Sequence, residues 1–358
     1  MRILQLIDSL EPGGAERMAI NYANALADSI EFSALVTTRK EGALKSQIAS
    51  GVSYLFLNRK KIIDLTAIFR LRKFVKTNDI QILHAHGTSF FLAVLLKLVI
   101  PSLKIIWHDH YGNSEFLAQR KSSVLKISSL FFNGIISVNS KLAEWSSKEL
   151  YCKNVMYLPN FVLFDTSETR ITTLNGYDSK RIVCLANLRS QKNHFMLLDI
   201  AEKIKESYPE WTFHLVGKNF EDAYSALLEE EITARSLENS VYLYGSRDDV
   251  RWILEQAEIG ILTSDSEGLP VALLEYGYFG KPVICTDVGE ISSVVTHHKS
   301  GFLCPAGDFE TFSKLLTTLI SDPEMQQQMG SSLKNKIIKQ FSKDSVIFDY
   351  LNFVKSRT

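Results

Sequence analysis

Cysteine is scarce in this chain of 358 residues, with only Cys152, Cys184, Cys285 and Cys304, and no two lie close together. That spacing fits neither a zinc site nor a disulfide scaffold. Long apolar runs are missing as well. The most apolar stretch, Phe90 to Ile100, is broken by Lys97 and stopped by Pro101, which makes it too short to span a bilayer. The opening MRILQLIDSL is short, carries Asp8 and has no A-x-A cleavage pattern, so it reads as a first strand and not as a signal peptide. There is no G-x-G-x-x-G dinucleotide fingerprint and no Ser-His-Asp or Cys-His arrangement with a nucleophile signal. No short repeat or low-complexity tract is visible. Net charge is absent too, since 40 Lys and Arg balance 40 Asp and Glu. These absences leave a cytoplasmic protein, either free or peripheral on the inner face of the cytoplasmic membrane, as the expectation.

What is present points to an ordinary globular chain. Hydrophobic residues make up 46% and charged residues 22%, which argues against disorder, and the length suffices for two domains with substantial cores. The charge balance conceals a division: residues 1–175 hold 21 Lys and Arg against 14 Asp and Glu, leaving 19 against 26 for the remainder. The basic excess gathers at Arg59, Lys60, Lys61, Arg70, Arg72, Lys73 and Lys76, near the apolar 90–100 segment. A basic and apolar surface suits an anionic membrane. A solvated helix face beside a core helix is the plainer reading. Nucleic acid is not indicated, because no recognised module accompanies the charge.

Short apolar runs alternate with longer mixed segments. RILQLI (2–7), FSALVTT (32–38), ILHAH (82–86), KIIWHDH (104–110), GIISVNS (134–140) and VMYLPN (155–160) read as buried strands. Segments 15–28, 64–77, 89–99 and 120–132 between them have helical length and spacing. Residues 164–180 lose the apolar pattern and read as a linker. Strands then resume at RIVCLAN (181–187), WTFHLVG (211–217), SVYLYG (240–245), IGILTS (259–264), PVICTD (282–287) and GFLCP (301–305), and 324–358 looks helical. Such alternation predicts an α/β protein with two doubly wound parallel sheets covered by helices on both faces. The expected divisions are a domain over 1–168, a second over 169–341, and a last helix over 342–358 that returns to brace the first.

Ligands of open parallel sheets bind beyond the carboxyl ends of the strands, so the polar residues there carry the functional reading. The richest stretch is SDSEGLPVALLEYGYFGKPVICTDVG (264–289). Glu267 falls on a turn before Gly268 and Leu269, Pro270 is placed as an early helical residue, and Glu275 lies about two turns on. A helix start attracts anions through its unsatisfied N–H groups and its dipole. A carboxylate there, with a second further along, suits a ligand bearing both hydroxyls and phosphates. Gly13 and Gly14 in EPGGAER (11–17) let backbone approach a ligand before a helix begins. Arg189 and Lys192 in CLANLRSQKNH (184–194) supply cations for a diphosphate. His84 and His86 share a strand face, an arrangement that suits a metal, yet no carboxylate or Cys partner follows, and no metal is expected.

The E-x7-E block with its Glu-Gly-Leu-Pro turn and Gly-Lys-Pro-Val-Ile strand entry resembles the signature of the retaining glycosyltransferases of family 4, which have the GT-B fold of two Rossmann-like domains facing a cleft. The resemblance extends along nearly the whole chain, most specifically over 181–308. It implies a nucleoside-diphosphate sugar donor, UDP-linked more than GDP-linked, and a glycan or lipid-linked acceptor in surface polysaccharide synthesis, with no cofactor. It also implies roles. Gly13 and Gly14 face the donor phosphates; Glu267 holds donor-sugar hydroxyls, Glu275 the ribose; His108 orients the sugar, with His110 as the alternative. Family members carry Gly-Arg-Leu where this chain has Asn187; Lys192 matches the family Lys, and Arg189 stands two residues from the missing Arg. Gly217, Gly245 and Ser246, in HLVGK and YLYGSRDDV, resemble strand ends that shape the nucleotide pocket. Retention in the family is understood as front-face substitution, in which the leaving phosphate takes the acceptor's proton. An epimerase of the same fold and a non-catalytic nucleotide-sugar-binding partner are the competing readings.

Overall fold

The computed structural model describes residues 1–163 and 170–356. It divides into two units, Met1–Leu163 with Lys343–Thr358, and Phe164–Ser342. The expected division between 168 and 169, and part of the expected linker, lie outside the described residues.

Unit 1 is built on seven parallel strands: β1 (Arg2–Ser9), β2 (Phe32–Lys40), β3 (Val52–Phe56), β4 (Ile82–His86), β5 (Lys104–Asp109), β6 (Gly134–Ser137) and β7 (Val155–Tyr157). Their order is β3-β2-β1-β4-β5-β6-β7, so the winding reverses between β1 and β4. Strands buried on both faces need apolar side chains on both, which is why Ile3, Leu4 and Leu6 are all fully buried. β3 was not anticipated. It is an edge strand with mostly half-buried residues, so VSYLF lacks the continuous apolar run that marks the inner strands.

The expected helix over 120–132 is replaced by short turns of 3₁₀ helix flanking a helix over Ser123–Ser128. Arg120 is drawn out of any regular segment. Its guanidinium makes two bonds to Asp109, at 2.6 and 2.8 Å, and packs over the rings of Tyr111 and Trp145. The apolar 90–100 segment is chiefly a core helix, Phe90–Val99, with Leu92, Ala93, Val94 and Leu96 buried. The carboxyl-terminal helix Lys343–Lys355 packs within unit 1, where the fully buried Tyr350 meets Tyr22 and His84 with ring centres 5.0 and 5.1 Å apart.

Unit 2 carries six parallel strands: β8 (Arg181–Leu185), β9 (Thr212–Val216), β10 (Val241–Gly245), β11 (Ile259–Leu262), β12 (Val283–Thr286) and β13 (Phe302–Cys304). Each expected strand of this half is present, in the order β10-β9-β8-β11-β12-β13. That order places the topological switch between β8 and β11, where neighbouring connections leave on opposite sides and open a crevice. Helix starts are held by short polar side chains: Asn193 accepts from Met196 N, and Asp222 closes a capping box with Ser225.

Candidate active site

The loops after β8 and β11 meet at the switch point of unit 2. Lys192 Nζ lies 2.6 Å from Glu267 Oε1, and the Ser264 hydroxyl donates to the same oxygen at 2.7 Å. The Glu267 side chain is 5% exposed and that of Lys192 18%, so the cation is the member of the pair that keeps access to solvent. Backbone and side chains fasten the two loops together. Asp265 N donates to Gln191 O, Asn193 Nδ2 donates to Asp265 Oδ1, and the Thr263 hydroxyl donates to the carbonyls of Lys192 and Asn193. Asn193 achieves this in a left-handed conformation, φ 49°, that asparagine tolerates better than most residues. The Cys184 thiol beneath this site is pushed up to about 12 by burial, which keeps it protonated and unsuited to nucleophilic attack.

The helix Val271–Tyr278 starts beside Glu267. Pro270 is its N-cap with ψ 124°, one position earlier than the helical place expected for it, and no side chain caps this end. Gly268 and Leu269 are buried in the turn, and Gly268 O accepts from Glu290 N at 2.9 Å. Gly289 sits against this turn at φ 61°, where a Cβ would run into the carbonyl oxygens of Glu267 and Gly268. Glu275, on the fifth position of the helix, is 7% exposed. Both carboxylates of the motif are therefore inside the fold and not on a solvated face.

The other expected residues of unit 2 spread along neighbouring strand ends. Asn187 Oδ1 accepts from Lys218 N at 2.7 Å, tying the end of β8 to that of β9. Arg189 does not join the Lys192–Glu267 pair; its guanidinium lies 4.7 Å from the centre of the Phe220 ring, which Lys218 Nζ also approaches, at 5.0 Å. Gly217 is a packing residue, because a Cβ there would strike the Ala186 carbonyl. Ser246 follows β10, an edge strand two strands from the switch, where its carbonyl accepts from Arg247. The residues missed in the sequence, Ser264, Asp265 and Asn193, act by holding the loops. Only Asn193 gave a local signal, as a helix-capping side chain.

In unit 1, Gly13 is the N-cap of the helix Gly14–Ala27, and Arg17 on its first turn donates to Gln47. Asp8 at the end of β1, not singled out in the sequence, collects Thr38, Thr88 and the buried Arg59.

His108 is not at a surface-facing strand end. β5 runs on to Asp109, and the His108 side chain is fully buried, its ring stacked on His84 at 5.2 Å and meeting Tyr22 at 5.6 Å. Neither ring nitrogen of His84 or His108 has a hydrogen-bond partner among the described residues. Burial lowers the proton affinity of both well below the ordinary histidine value. His110, the first residue after β5, is partly exposed and bonds to His86 at 2.9 Å. His84, His86 and His108 bring ligand atoms within 4.8 Å of one another, but both nitrogens of His86 are already engaged, by His110 and Gln5.

Comparison with known proteins gives two matches that together span most of the chain. Residues 12–163 match the family described as Glycosyltransferase Family 4, and residues 166–336 match Glycosyl transferases group 1. The chain is 23% identical over 355 residues to the UDP-Gal:alpha-D-GlcNAc-diphosphoundecaprenol alpha-1,3-galactosyltransferase of Escherichia coli, covering 92% of this chain and 90% of that protein. It is 24% identical over 339 residues to the capsular polysaccharide biosynthesis glycosyltransferase CapH of Staphylococcus aureus, covering 88% and 91%. Among solved structures, Anabaena HepE in complex with UDP-glucose superimposes with a TM-score of 0.80 at 18% identity, over 99% of this chain and all of that one. At that identity the likeness speaks to the fold.

Proposed function

The chain belongs to the glycosyltransferases, with a family 4 half followed by a group 1 half, and from that premise we propose that it is a retaining enzyme using a UDP-sugar. The acceptor in this reading is a glycan or lipid-linked sugar in surface polysaccharide synthesis. The observation that carries it is the Lys192–Glu267 pair at the switch point between β8 and β11. As the glycosidic bond to the diphosphate lengthens, negative charge grows on the phosphate and positive charge on the sugar. Lys192 answers the first as a point charge, together with the uncapped N–H groups that begin the helix Val271–Tyr278. Glu267, oriented by Ser264 and Lys192, accepts from sugar hydroxyls and favours the cationic sugar. Glu275 takes the ribose hydroxyls. Arg189 serves the phosphates from its place on Phe220, in lieu of the family arginine at Asn187. His110 takes the sugar-orienting role in preference to the buried His108.

No protein nucleophile or metal enters this reading; the departing phosphate accepts the acceptor's proton. The products' anomeric configuration, read by proton NMR from the first turnovers, tests it. An inverted product overturns retention, and conversion of the donor without acceptor turns the reading to epimerisation. Thermal shift against UDP-, GDP- and ADP-sugars tests the donor, since a ligand at a hundred times its Kd adds roughly 2.7 kcal/mol.

We also propose that unit 1 rests on an anionic membrane. No helix among the described residues is long and apolar enough to cross one. Beside Leu98 and Val99 at the end of the 90–100 helix, the apolar part of the surface lies in the segment before and within Leu65–Thr77, where Ile62, Ile63, Leu65 and Phe69 are 59–67% exposed. Lys60, Lys61, Arg70, Lys73 and Lys76 flank them, all exposed. Asp64 caps the helix through Ala67 N, and the buried Arg59 reaches Asp8 and the Ile62 carbonyl, so the segment is held in shape. Each basic residue near an anionic surface adds about 1 kcal/mol, which suits a reversible attachment.

A further inference from the structure

β4 carries His84 and His86, β5 carries His108 with His110 just past its end, and the strand register sets His86 beside His108. Two contacts order part of this cluster. His86 Nε2 lies 2.8 Å from Gln5 Oε1 of β1, and His86 Nδ1 lies 2.9 Å from His110 Nε2. With the Gln5 carboxamide oxygen facing His86 and the amide nitrogen turned away, the proton of the first contact sits on His86 Nε2, an assignment that depends on that amide orientation. A neutral imidazole has a single N–H, so His86 Nδ1 accepts and the proton of the second contact sits on His110 Nε2. His110 Nδ1 is then an unprotonated acceptor, with no partner among the described residues.

The groups around this chain keep it neutral. Burial holds His86 well below the ordinary histidine range and takes His110 down to about 3. His84 on β4, His108 on β5, Tyr22 on the helix Gly14–Ala27 and Tyr350 on the carboxyl-terminal helix pack around it, all uncharged at neutral pH. Asp109, the neighbour of His110, is neutralised by its two bonds to Arg120.

We propose that Gln5 and His86 are positioning residues that fix His110 in the tautomer presenting Nδ1 as an acceptor to a hydroxyl of the transferred sugar. This rests on the sugar-orienting role given to His110 above. Without the relay the imidazole could equally present a donor, and a hydroxyl that must donate would lose its partner. With it, the polarity of the ring is set by an amide two strands away, on β1.

Nitrogen-15 NMR of the wild-type histidines reads the tautomers directly. Both His86 and His110 should be in the Nε2–H form between about pH 6 and 8; a His110 in the Nδ1–H form overturns the relay. Gln5→Glu supplies the kinetic test. A carboxylate beside His86 favours its imidazolium, which donates from both nitrogens and forces His110 to turn its proton outward. Because this pKa is raised, the effect is present on the acid side and disappears as pH rises through it. The variant should lose about tenfold in kcat/KM through an acid limb at least one pH unit above that of the wild type, and recover on the alkaline side. An equal loss at every pH would mark a structural role and overturn the proposal. Should Gln5→Glu fail to fold, the wild-type tautomers still decide. His110→Ala separates the two levels: unaltered transfer there removes the sugar-orienting role, whereas the tautomer measurement bears on the relay alone.

Discussion

Replacing Lys192 by Met should separate what its ion pair does for the fold from what it does for the reaction. In the wild type Nζ is 2.6 Å from Glu267 Oε1, and the carboxylate side chain is 5% exposed. Removing the cation leaves a buried carboxylate without its counter-ion, though still bonded to the Ser264 hydroxyl. Unpairing a buried ion costs about 3–5 kcal/mol, and the lower end applies here because Lys192 itself is partly solvated. Removing the carboxylate instead, as Glu267→Gln, costs less, since a partly exposed ammonium can return to water. The double variant Lys192→Met with Glu267→Gln leaves no stranded charge and should come back to within about 1 kcal/mol of wild type in urea unfolding. Its chemistry should not come back. Losing a preorganised charge from a reacting group lowers kcat by roughly 10²–10³-fold, about 2.7–4 kcal/mol of barrier. Stability and transfer should thus diverge in the double variant. If transfer recovers along with stability, or if Lys192→Met alone transfers sugar normally, the pair is structural and the site assignment fails.

Acid should weaken unit 1 early. Its four clustered histidines have proton affinities depressed by burial, so below about pH 6.5 the unfolded chain binds protons that the folded one refuses, and stability falls as pH falls by up to about 1.4 kcal/mol per histidine per pH unit. A urea midpoint for unit 1 that does not move between pH 7.5 and 5.5 would contradict this; those values follow from an ordinary histidine near about 6.5. Gly217→Ala places a methyl against the Ala186 carbonyl and should cost about 1–3 kcal/mol, measured as a lowered Tm, without a change of donor preference. Ile62→Ser with Ile63→Ser should abolish flotation with anionic vesicles while transfer to a water-soluble acceptor persists, and Lys60→Glu with Lys61→Glu should weaken flotation most at low salt. Equal flotation with zwitterionic vesicles would remove the electrostatic part of that reading.

The strands of unit 2 were legible because each is a short apolar run bounded by Gly, Pro or charged residues, and burial on both faces leaves no alternative use for such a run. β3 escaped because an edge strand needs burial on only part of its surface, so its sequence carries a weaker signature than RIVCL or VICT. The break at 120 escaped for another reason. Helical spacing over 120–132 is real, but the bonds between Arg120 and Asp109 are a tertiary event that local pattern does not contain.

The same distinction governs the candidate site. Glu267, Lys192 and the helix start could be read from type and spacing because a charged residue after a buried strand has few reasons to be there. Their contact could not, since 75 residues separate the partners and only the adjacency of β8 and β11 closes the gap. The histidines show the converse limit. His108 and His110 are two residues apart, yet one lies buried within β5 against Tyr22 and His84 while the other falls just past the strand end. Spacing makes them equivalent. The carboxyl-terminal helix adds to the cover over the inner part of the cluster, since it brings Tyr350 against Tyr22 and His84. Truncating that helix before Lys343 should therefore expose His84 directly and loosen Tyr22 over His108. If the NMR pKa of His84 stays depressed in a truncated chain that still folds, the cover lies elsewhere.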